Sequence, residues 1–229
     1  MRISKDTVVC ISLAKKAGNF GTTVYNHVFQ KLNLDFLYKS FSTNDIVSAI
    51  NGARSIGIRG ISITMPYKTR VLDLVDSVSE EAAMTRSVNT IVNNDGVLTA
   101  YNTDVDSTST LLEEVENKEM LYVLGAGGFS KAVQYSGSHL FDNVKIITRE
   151  NWELVKNIKE GVVFNCTPIK GLTFKSSDVT FIDCDVASDT GKRLAILQAA
   201  RQFKLYTGVE FLTSYVMENL DDILKENNK

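Results

Sequence analysis

The sequence predicts an α/β protein of two domains, and two observations support that prediction. Short runs rich in β-branched residues alternate with segments whose apolar residues recur at helical spacing, which is typical of parallel sheets joined by right-handed crossovers. A polar stretch, EEVENKE at residues 113–119, separates one such series from another. We therefore expect a first domain over residues 1–104, a second over 105–208, and a C-terminal helix at 209–229 that packs back on the first domain.

The first half of the chain predicts four strands and four helices. The strands are short and β-branched, and they fall at residues 7–13, 36–40, 61–64 and 89–94. Apolar residues at helical spacing predict helices around Tyr25–Leu32 and Ile46–Ala53. A third helix is expected after Pro66, at residues 69–75. The stretch SEEAAM begins a fourth, because a capping serine followed by glutamates favours a helix N-terminus.

The second half of the chain repeats the alternation. A helix is expected from about residue 129, directly after the first strand of this half. Regular succession of strands and helices predicts a second parallel sheet. Its strands are expected at residues 121–125, 144–148, 162–166, 179–184 and 204–208.

Composition and charge narrow the class of protein. Hydrophobic residues make up 44% of the 229 residues and charged residues 23%, and the formal net charge is −2. A chain without a basic excess is not drawn to nucleic acid or to anionic lipid, so neither is expected as a partner. The N-terminal apolar run is too short and too interrupted for a signal peptide or a membrane span, which makes the cytoplasm the expected compartment.

The cysteines and histidines argue against metal and hydrolase chemistry. Cys10, Cys166 and Cys184 are widely spaced and form no C-x-x-C pair, so neither a disulfide framework nor a zinc site is expected. The chain has only His27 and His139, which disfavours a histidine-rich metal centre and a Ser-His-Asp hydrolase. We expect no metal site.

A glycine-rich turn in the second half predicts a dinucleotide site. The stretch LYVLGAGGFSKAV has the pattern of a strand, a turn of the form G-x-G-x-x-[small], and a helix. Such glycines permit a tight turn and let backbone N–H groups approach a pyrophosphate at the positive end of the helix. A plain strand-to-helix turn is the alternative, but the strand and helix that the motif demands are both present. The residues expected at the cofactor are Gly125, Ala126, Gly127, Gly128, Phe129 and Ser130.

The end of the next strand bears on which cofactor is bound. NAD sites usually carry an acidic residue there for the ribose 2′-hydroxyl, whereas an arginine suits the 2′-phosphate of NADP. This strand ends in Thr148 and Arg149, followed by Glu150. We place Thr148 and Arg149 at the cofactor, and NADP is favoured over NAD. A solvent-exposed surface charge is the alternative interpretation of Arg149.

Three motifs in the first half supply groups for proton transfer beside a nicotinamide. Hydride transfer at an alcohol carbon needs a group that gives or takes the proton of the oxygen, and no histidine is well placed. The motifs are SITMPYK with Thr64 and Lys68, SVNTIVN with Asn89, and AYNTD with Asp104. Their order, followed by G-A-G-G, resembles the shikimate dehydrogenase family, which carries T-x-P-x-K, V-N-T-I and Y-N-T-D. The resemblance covers most of the chain.

The resemblance implies an oxidoreductase with an N-terminal α/β substrate domain and a Rossmann-type domain that binds NADP. It implies that Lys68 and Asp104 form the catalytic pair, and that Thr64, Asn89 and Asp104 hydrogen-bond the ring hydroxyls of a small cyclic acid. The substrate would be shikimate or a related cyclic polyol acid such as quinate, and the protein a monomer or homodimer. Segments that resemble the nicotinamide side of the family's site add Asn165, Thr167, Pro168 and Gly208.

The chain departs from the family where the substrate carboxylate is held. Asn19 and Gly21 stand at the two serines of the family's S-x-S-P segment, and Thr22 or Thr23 is a candidate substitute for their hydroxyls. The glutamine of the family's G-x-x-M-L-x-x-Q falls on Tyr215. These departures predict a divergent branch with altered substrate preference. A non-catalytic metabolite or nucleotide sensor is a second hypothesis. A plain nucleotide-binding module is a third, and it leaves the three motifs unexplained.

Overall fold

The computed structural model describes residues 3–226, in which ten strands form two sheets. The chain divides into two compact units, the first running to Thr103 and resuming at Ala199, the second spanning Asp104–Gln198. The α/β class expected from the alternating pattern is confirmed. Within the described residues, no helix is long and apolar enough to cross a membrane.

A mixed six-stranded sheet organises the first unit. Its strand order is β2-β1-β3-β5-β6-β4, and β1 runs parallel to both β2 and β3. Four of the strands agree with the predicted runs, whereas β4 and β6 lie outside them. The bounds are β1 (Val8–Ala14), β2 (Phe36–Ser42), β3 (Gly60–Ile63), β4 (Ser77–Val78), β5 (Thr90–Asn94) and β6 (Val97–Tyr101).

An antiparallel hairpin distinguishes this sheet from the parallel sheet that was expected. Strand β5 runs antiparallel to both β3 and β6. The chain turns at Asp95 and Gly96, whose φ angles of 51° and 91° lie in the left-handed region. Asp-Gly is a favoured pair for a two-residue hairpin turn of this kind. The hairpin brings the start of β5 and the end of β6 to the edge of the sheet at which β3 ends.

Two helices of the first unit, α2 and α3, begin at capping side chains. Asp45 accepts a hydrogen bond from the N–H of Ser48 at 3.0 Å, and Ser79 accepts one from the N–H of Ala82 at 3.4 Å. A cap of this type contributes about 1 kcal/mol to helix stability. The helices are α1 (Phe20–Lys31), α2 (Ile46–Ser55), α3 (Glu80–Thr85) and, near the C-terminus, α7 (Thr213–Glu226).

The helix predicted at residues 69–75 is wrong. The chain forms only a short 3₁₀ turn there, at Leu72–Leu74. Val75 then has extended backbone, and the N–H of Asp76 donates to the backbone oxygen of Leu98 at 2.9 Å. Pairing with β6 thus supplies the backbone hydrogen bonds that a longer helix would have made.

A parallel four-stranded sheet organises the second unit. Its order is β10-β9-β7-β8, and every neighbouring pair is parallel. Helix α4 (Thr103–Glu113) precedes the sheet, and α5 (Gly128–Leu140) follows its first strand, as predicted. A kinked 3₁₀ stretch, Arg149–Asn157, follows β8. The strands are β7 (Met120–Leu124), β8 (Asn143–Ile147), β9 (Gly161–Asn165) and β10 (Val179–Asp183).

One long helix occupies the place of the last predicted strand. Helix α6 spans Asp189–Thr207, so the strand expected at residues 204–208 is wrong. Phe203 and Tyr206 are 0% and 1% exposed and lie three residues apart, which puts both on one buried helix face. The second boundary between the units falls inside this helix, at residue 198 rather than the predicted 208.

An aromatic cluster fills one face of the first sheet. The rings of Tyr25 and Tyr38 stack with centroids 4.4 Å apart, and Phe29 lies 5.2 Å from Phe203 of α6. None of the four side chains is more than 2% exposed. Full burial of a large apolar side chain contributes about 1.5–3 kcal/mol, so this cluster anchors the second half of α6 within the first unit.

Candidate functional site

One edge of the first sheet gathers the three polar motifs. Strand β3 ends at this edge, and the hairpin places the start of β5 and the end of β6 beside it. The N–H of Ile63 donates to the backbone oxygen of Asn89 at 2.8 Å. The side-chain oxygen of Asn89 accepts the N–H of Thr103, also at 2.8 Å. Residues from all three motifs therefore share one connected set of hydrogen bonds.

The proline turn after β3 fixes the backbone of Lys68. Tyr67 is 2% exposed, and its hydroxyl donates to the backbone oxygen of Thr43 at 2.6 Å, so its ring anchors the turn. The backbone oxygen of Lys68 accepts the N–H of Val88 at 2.7 Å. The side chain of Lys68 is half-buried, and Thr64 is exposed at the end of the strand. Both predicted residues thus lie at the edge that carries Asn89.

Asn89 holds the segment that leads to Asp104. It is 1% exposed, and besides accepting the N–H of Thr103 it donates from Nδ2 to Oγ1 of Thr103 at 3.0 Å. Asp104 follows Thr103 directly, is the first residue of the second unit, and lies in the first turn of α4. Asn89 therefore fixes the backbone of Thr103, the residue that directly precedes Asp104.

The residues predicted to hold the substrate carboxylate lie at the start of α1. Asn19 is the N-cap residue, it is exposed, and its side chain makes no capping hydrogen bond. Thr22 donates its hydroxyl proton to Oγ of Ser40 at 2.9 Å and accepts the N–H of Ser40 at 3.1 Å. The hydroxyl of Thr22 is thus engaged with Ser40, and Thr22 as the substitute for a family serine stays a prediction. Thr23 is only 3% exposed, whereas Asn19 presents an exposed carboxamide.

Gly21 packs against a buried tyrosine. A Cβ atom at position 21 would lie 2.9 Å from Cε1 of Tyr38 and 3.3 Å from its hydroxyl oxygen. Tyr38 is 2% exposed, stacks on Tyr25, and donates its hydroxyl proton to Oγ of Ser62 at 2.8 Å. Burial raises the pKa of Tyr38, so its hydroxyl keeps the proton that it donates. The position of the Tyr38 ring therefore requires a residue without a side chain at position 21.

We expect Gly21→Ser to destabilise the first unit. The added side chain forces the confined ring of Tyr38 to move, and overpacking of this kind costs about 1–3 kcal/mol. Equilibrium urea unfolding measures the loss. Gly18→Ser is the matched control, because a Cβ there meets nothing within 4 Å. If both variants unfold with the wild-type free energy, the packing argument for Gly21 is wrong.

Tyr215 lies away from the edge that carries the motifs. Its hydroxyl is 3.3 Å from Nε2 of His27, and Nζ of Lys31 lies 4.0 Å from its ring centroid. At 1.5 Å per residue, His27 is about 12 Å along α1 from Asn19. Tyr215 thus lies beside His27 and Lys31 of α1, and its role as the counterpart of the family's glutamine stays a prediction. The same spacing, as G-x-x-L-A-x-x-Q, occurs at residues 191–198 in α6.

Gly208 has a structural role at the end of α6. Its φ is 74°, and its N–H donates to the backbone oxygen of Lys204 at 2.8 Å, as in a helix that ends on a left-handed glycine. Two residues earlier, the backbone oxygen of Tyr206 accepts from Nε of Arg59 at 3.0 Å, and Arg59 directly precedes β3. Gly208 thus lies towards the start of β3, whereas Lys68 follows its end. The contact of Gly208 with the nicotinamide stays a prediction.

The glycine-rich turn between β7 and α5 has the open backbone that a pyrophosphate needs. Gly125 has a φ of 110°, which favours glycine, and its N–H donates to the backbone oxygen of Ile147 at 2.8 Å. Gly127 precedes α5 and is exposed, and a Cβ there would meet nothing within 4 Å. The first N–H groups of α5 therefore lie beside a residue without a side chain. This arrangement fits a dinucleotide phosphate.

The residues that follow the glycine turn begin α5. Ala126 is exposed before the helix, and Gly128 is its first residue. Phe129 packs with its ring centroid 6.1 Å from that of Phe164 in β9. Ser130 is 0% exposed and donates its hydroxyl proton to the backbone oxygen of Gly127 at 2.8 Å. The first turn of the helix is thereby tied to the glycine turn.

The loop after β9 packs against the glycine turn. A Cβ at Gly125 would lie 3.1 Å from Cγ2 of Thr167. Asn165 is 0% exposed and accepts both the N–H of Thr167 at 3.0 Å and its hydroxyl proton at 2.7 Å. Its Nδ2 donates to the backbone oxygen of Ile169 at 3.0 Å, which leaves Pro168 exposed between them. Asn165 therefore shapes the loop that brings Thr167 beside the glycine turn.

The end of β8 presents Arg149. The N–H of Thr148 donates to Oδ1 of Asn151 at 2.7 Å, and its hydroxyl accepts the N–H of Glu150 at 3.3 Å. This reciprocal cap fixes the point at which the chain leaves β8. Arg149 is exposed there, at the end of the strand that pairs with β7. A guanidinium at this position fits the 2′-phosphate of NADP.

Comparison with known proteins agrees with the motifs. Residues 20–91 match the family model of the shikimate dehydrogenase substrate binding domain. The chain is 41% identical over 162 residues to the shikimate dehydrogenase-like protein of Haemophilus influenzae, covering 69% of this chain and 57% of that protein. It is 39% identical over 129 residues to the shikimate dehydrogenase (NADP(+)) of Pyrococcus abyssi, covering 55% and 48%. The aligned part spans about half the length of these two relatives.

A solved structure matches over nearly the whole chain. It is that of a shikimate 5-dehydrogenase-like protein, with a TM-score of 0.82, 30% identity, and coverage of 98% of this chain and 100% of that one. The fold is the expected one, an N-terminal α/β substrate domain with a Rossmann-type domain. The chain belongs to the shikimate dehydrogenase family.

Proposed function

We propose that the protein is an NADP-dependent oxidoreductase that interconverts 3-dehydroshikimate and shikimate, or a related cyclic polyol acid such as quinate. The observation that supports this most strongly is the connected edge of the first sheet. Hydrogen bonds join the turn of Lys68, the buried Asn89 and the segment ending in Thr103. A protein that only bound a nucleotide would not need this arrangement. Membership of the family supports the same class of reaction.

We propose that Lys68 donates and accepts the proton of the reacting oxygen. In ketone reduction the ammonium donates a proton from Nζ to the carbonyl oxygen, and in alcohol oxidation the neutral amine accepts it. Asp104 is assigned as the carboxylate that orients Nζ and stabilises the ammonium form. When bound, the nicotinamide gives or accepts the hydride at the reacting carbon.

The substrate itself is assigned to polar side chains of the first unit. Thr64 offers an exposed hydroxyl directly after β3, and Asn89 directly precedes β5, where its backbone oxygen accepts the N–H of Ile63. Asn19 offers an amide donor to the carboxylate where the family has two serine hydroxyls. One side chain in place of two implies a weaker hold, because a carboxylate oxygen left without a partner costs about 1–3 kcal/mol.

Arg149→Ala is expected to weaken NADP binding about ten- to hundredfold while leaving NAD binding nearly unchanged. Only NADP carries a 2′-phosphate, and a hydrogen bond to a charged group contributes about 1.5–3 kcal/mol. Calorimetric titration of the variant with each cofactor measures the difference. Lys145→Ala is the control, because Lys145 is an exposed cation on the same strand.

Two results would contradict this cofactor assignment. Equal losses of NADP and NAD affinity in Arg149→Ala would show that the guanidinium does not meet the 2′-phosphate. A wild-type protein that binds NAD more tightly than NADP would refute NADP as the cofactor.

A non-catalytic binder of a metabolite or nucleotide is the second candidate function. The pairing of Gly21 with Tyr38 favours it, because a site that has lost serine hydroxyls holds a carboxylate less firmly. Turnover separates the two candidates. Shikimate, quinate and their analogues are incubated with NADP or NAD, and reduced nicotinamide is followed by absorbance. Sustained reduction supports the enzyme, and saturable binding without reduction supports the binder.

A further inference from the structure

A buried glutamine on the second half of α6 lies behind the candidate substrate edge. Gln202 is 1% exposed. Its side-chain oxygen accepts the hydroxyl protons of Tyr25 at 2.6 Å and of Ser62 at 3.0 Å. Its Nε2 donates to the backbone oxygen of Asn89 at 3.1 Å and to Oγ1 of Thr90 at 2.7 Å. Two donated and two accepted bonds use the full capacity of a carboxamide.

The donor side of this amide reaches the residues on which the candidate reaction depends. Residues 88–90, the crossbar, connect two backbone segments of the first unit. On one side, Val88 donates its N–H to the backbone oxygen of Lys68 at 2.7 Å. On the other, the side chain of Asn89 accepts the N–H of Thr103 at 2.8 Å. A shift of the crossbar would therefore move the backbones of Lys68 and Thr103 together.

The acceptor side of the amide reaches the tyrosine cluster. Oγ of Ser62, which donates to Gln202, also lies 2.8 Å from the hydroxyl of Tyr38 and 3.0 Å from that of Tyr206. Burial raises the pKa of Tyr25 and that of Tyr206, so these hydroxyls stay protonated and neutral. The network is thus built of uncharged groups, and a buried network of this kind is rigid when its members are satisfied.

We propose that Gln202 is a positioning residue of the candidate reaction and acts through the crossbar. The inference rests on the function proposed for Lys68 and Asp104. The amide N–H groups of Gln202 donate to the backbone oxygen of Asn89 and to Oγ1 of Thr90. The crossbar in turn hydrogen-bonds the backbones of Lys68 and Thr103. Gln202 itself needs no contact with substrate. A misplacement of about 1 Å in a catalytic constellation can cost about 10²-fold in rate.

Gln202→Glu tests the donor side of the amide. The side chain keeps its shape, but a carboxylate oxygen replaces the donor that faces the backbone oxygen of Asn89, so the crossbar must shift. We expect kcat to fall about 10²-fold, with NADP affinity unchanged. Tyr25→Phe is the matched control, because it removes a buried hydrogen bond to the same amide and leaves both N–H donors in place. Its kcat is expected to stay near that of the wild type.

A second variant keeps the proposal testable where Gln202→Glu does not fold. Thr90→Val is nearly isosteric and removes the hydroxyl that accepts from Gln202 and donates to Oδ1 of Asn89 at 2.8 Å. It should lower kcat in the same direction. Amide hydrogen exchange at Asn89 and Thr103 gives a readout that does not depend on turnover. Exchange should accelerate in Thr90→Val and in Gln202→Glu, but not in Tyr25→Phe.

Different results refute the positioning role of Gln202 and the proposed function. Wild-type kcat and wild-type exchange in a folded Gln202→Glu or Thr90→Val variant overturn the positioning role. An equal loss in Tyr25→Phe also overturns it, because a general loss of packing then explains the effect. If the wild-type protein turns over no tested substrate, the proposed function fails. The exchange comparison then decides by itself whether Gln202 holds the crossbar.

Discussion

Lys68→Ala is expected to lower kcat on the best substrate by about 10²- to 10⁴-fold, the usual contribution of a general acid–base group. The fold should survive, because Tyr67 still anchors the turn to Thr43 and the backbone oxygen at position 68 still accepts from Val88. NADP affinity should also stay at the wild-type value, because the glycine turn belongs to the second unit.

Steady-state kinetics with the purified variant provide the measurement, followed by absorbance of reduced nicotinamide. Circular dichroism and NADP titration confirm that the fold and cofactor binding persist. Lys39→Ala is the matched control, since Lys39 is an exposed lysine on β2 of the same unit. An undiminished kcat in Lys68→Ala would remove Lys68 from the reaction.

Asp104→Asn is expected to be nearly as damaging, within the same range of about 10²- to 10⁴-fold. The amide has the shape of the carboxylate but no negative charge with which to stabilise the ammonium of Lys68. In the double variant, Lys68→Ala with Asp104→Asn, kcat should be close to that of Lys68→Ala alone. Groups that act as one unit give strongly non-additive losses.

Asp106→Asn is the control for Asp104→Asn. Both residues lie in the first turn of α4, and Asp106 is exposed. A general effect of lost charge on the helix would therefore appear in both variants, whereas a catalytic effect appears only at Asp104. Independent, multiplying losses in the double variant would contradict a shared role for Lys68 and Asp104.

Much of the candidate edge could be predicted from the sequence, because each motif adjoins a short β-branched run. The runs at residues 61–64 and 89–94 agree with β3 and β5. The antiparallel pairing of β5 with β6 was not expected, although Asp95–Gly96 is a strong hairpin signal. Recognition of that turn would also have placed Asn89 and Thr103 side by side, since a hairpin brings its two outer ends together.

The sequence could not predict why position 21 is a glycine, because the reason lies elsewhere in the chain. Gly21 depends on the ring of Tyr38, which sits in a different element and contacts it only in the folded unit. No local pattern in NFGTT shows where that ring lies. The cost of a side chain at position 21 therefore follows from packing alone.

The strand predicted at residues 204–208 is wrong for a different reason. Aromatic and β-branched residues in KLYTG favour a strand, but the burial of Phe203 and Tyr206 on one helix face determines the helix. Tyr215 and Gly208 were assigned separately, from the resemblance of the following segment to the family. Helical spacing from Ala199 through Gln202 to Tyr206 is the signal that would have predicted the helix.

Deuterium transfer from the cofactor tests most directly whether this protein moves a hydride between a nicotinamide and a cyclic acid. The protein is incubated with 3-dehydroshikimate and, in separate reactions, with NADPH deuterated on one or the other face of C4. The mass of the product is measured by mass spectrometry. We predict shikimate one mass unit heavier from one of the two labelled cofactors, and no such product with Lys68→Ala. Recovery of unreacted 3-dehydroshikimate, or of shikimate without deuterium from both cofactors, would contradict the proposed interconversion of 3-dehydroshikimate and shikimate.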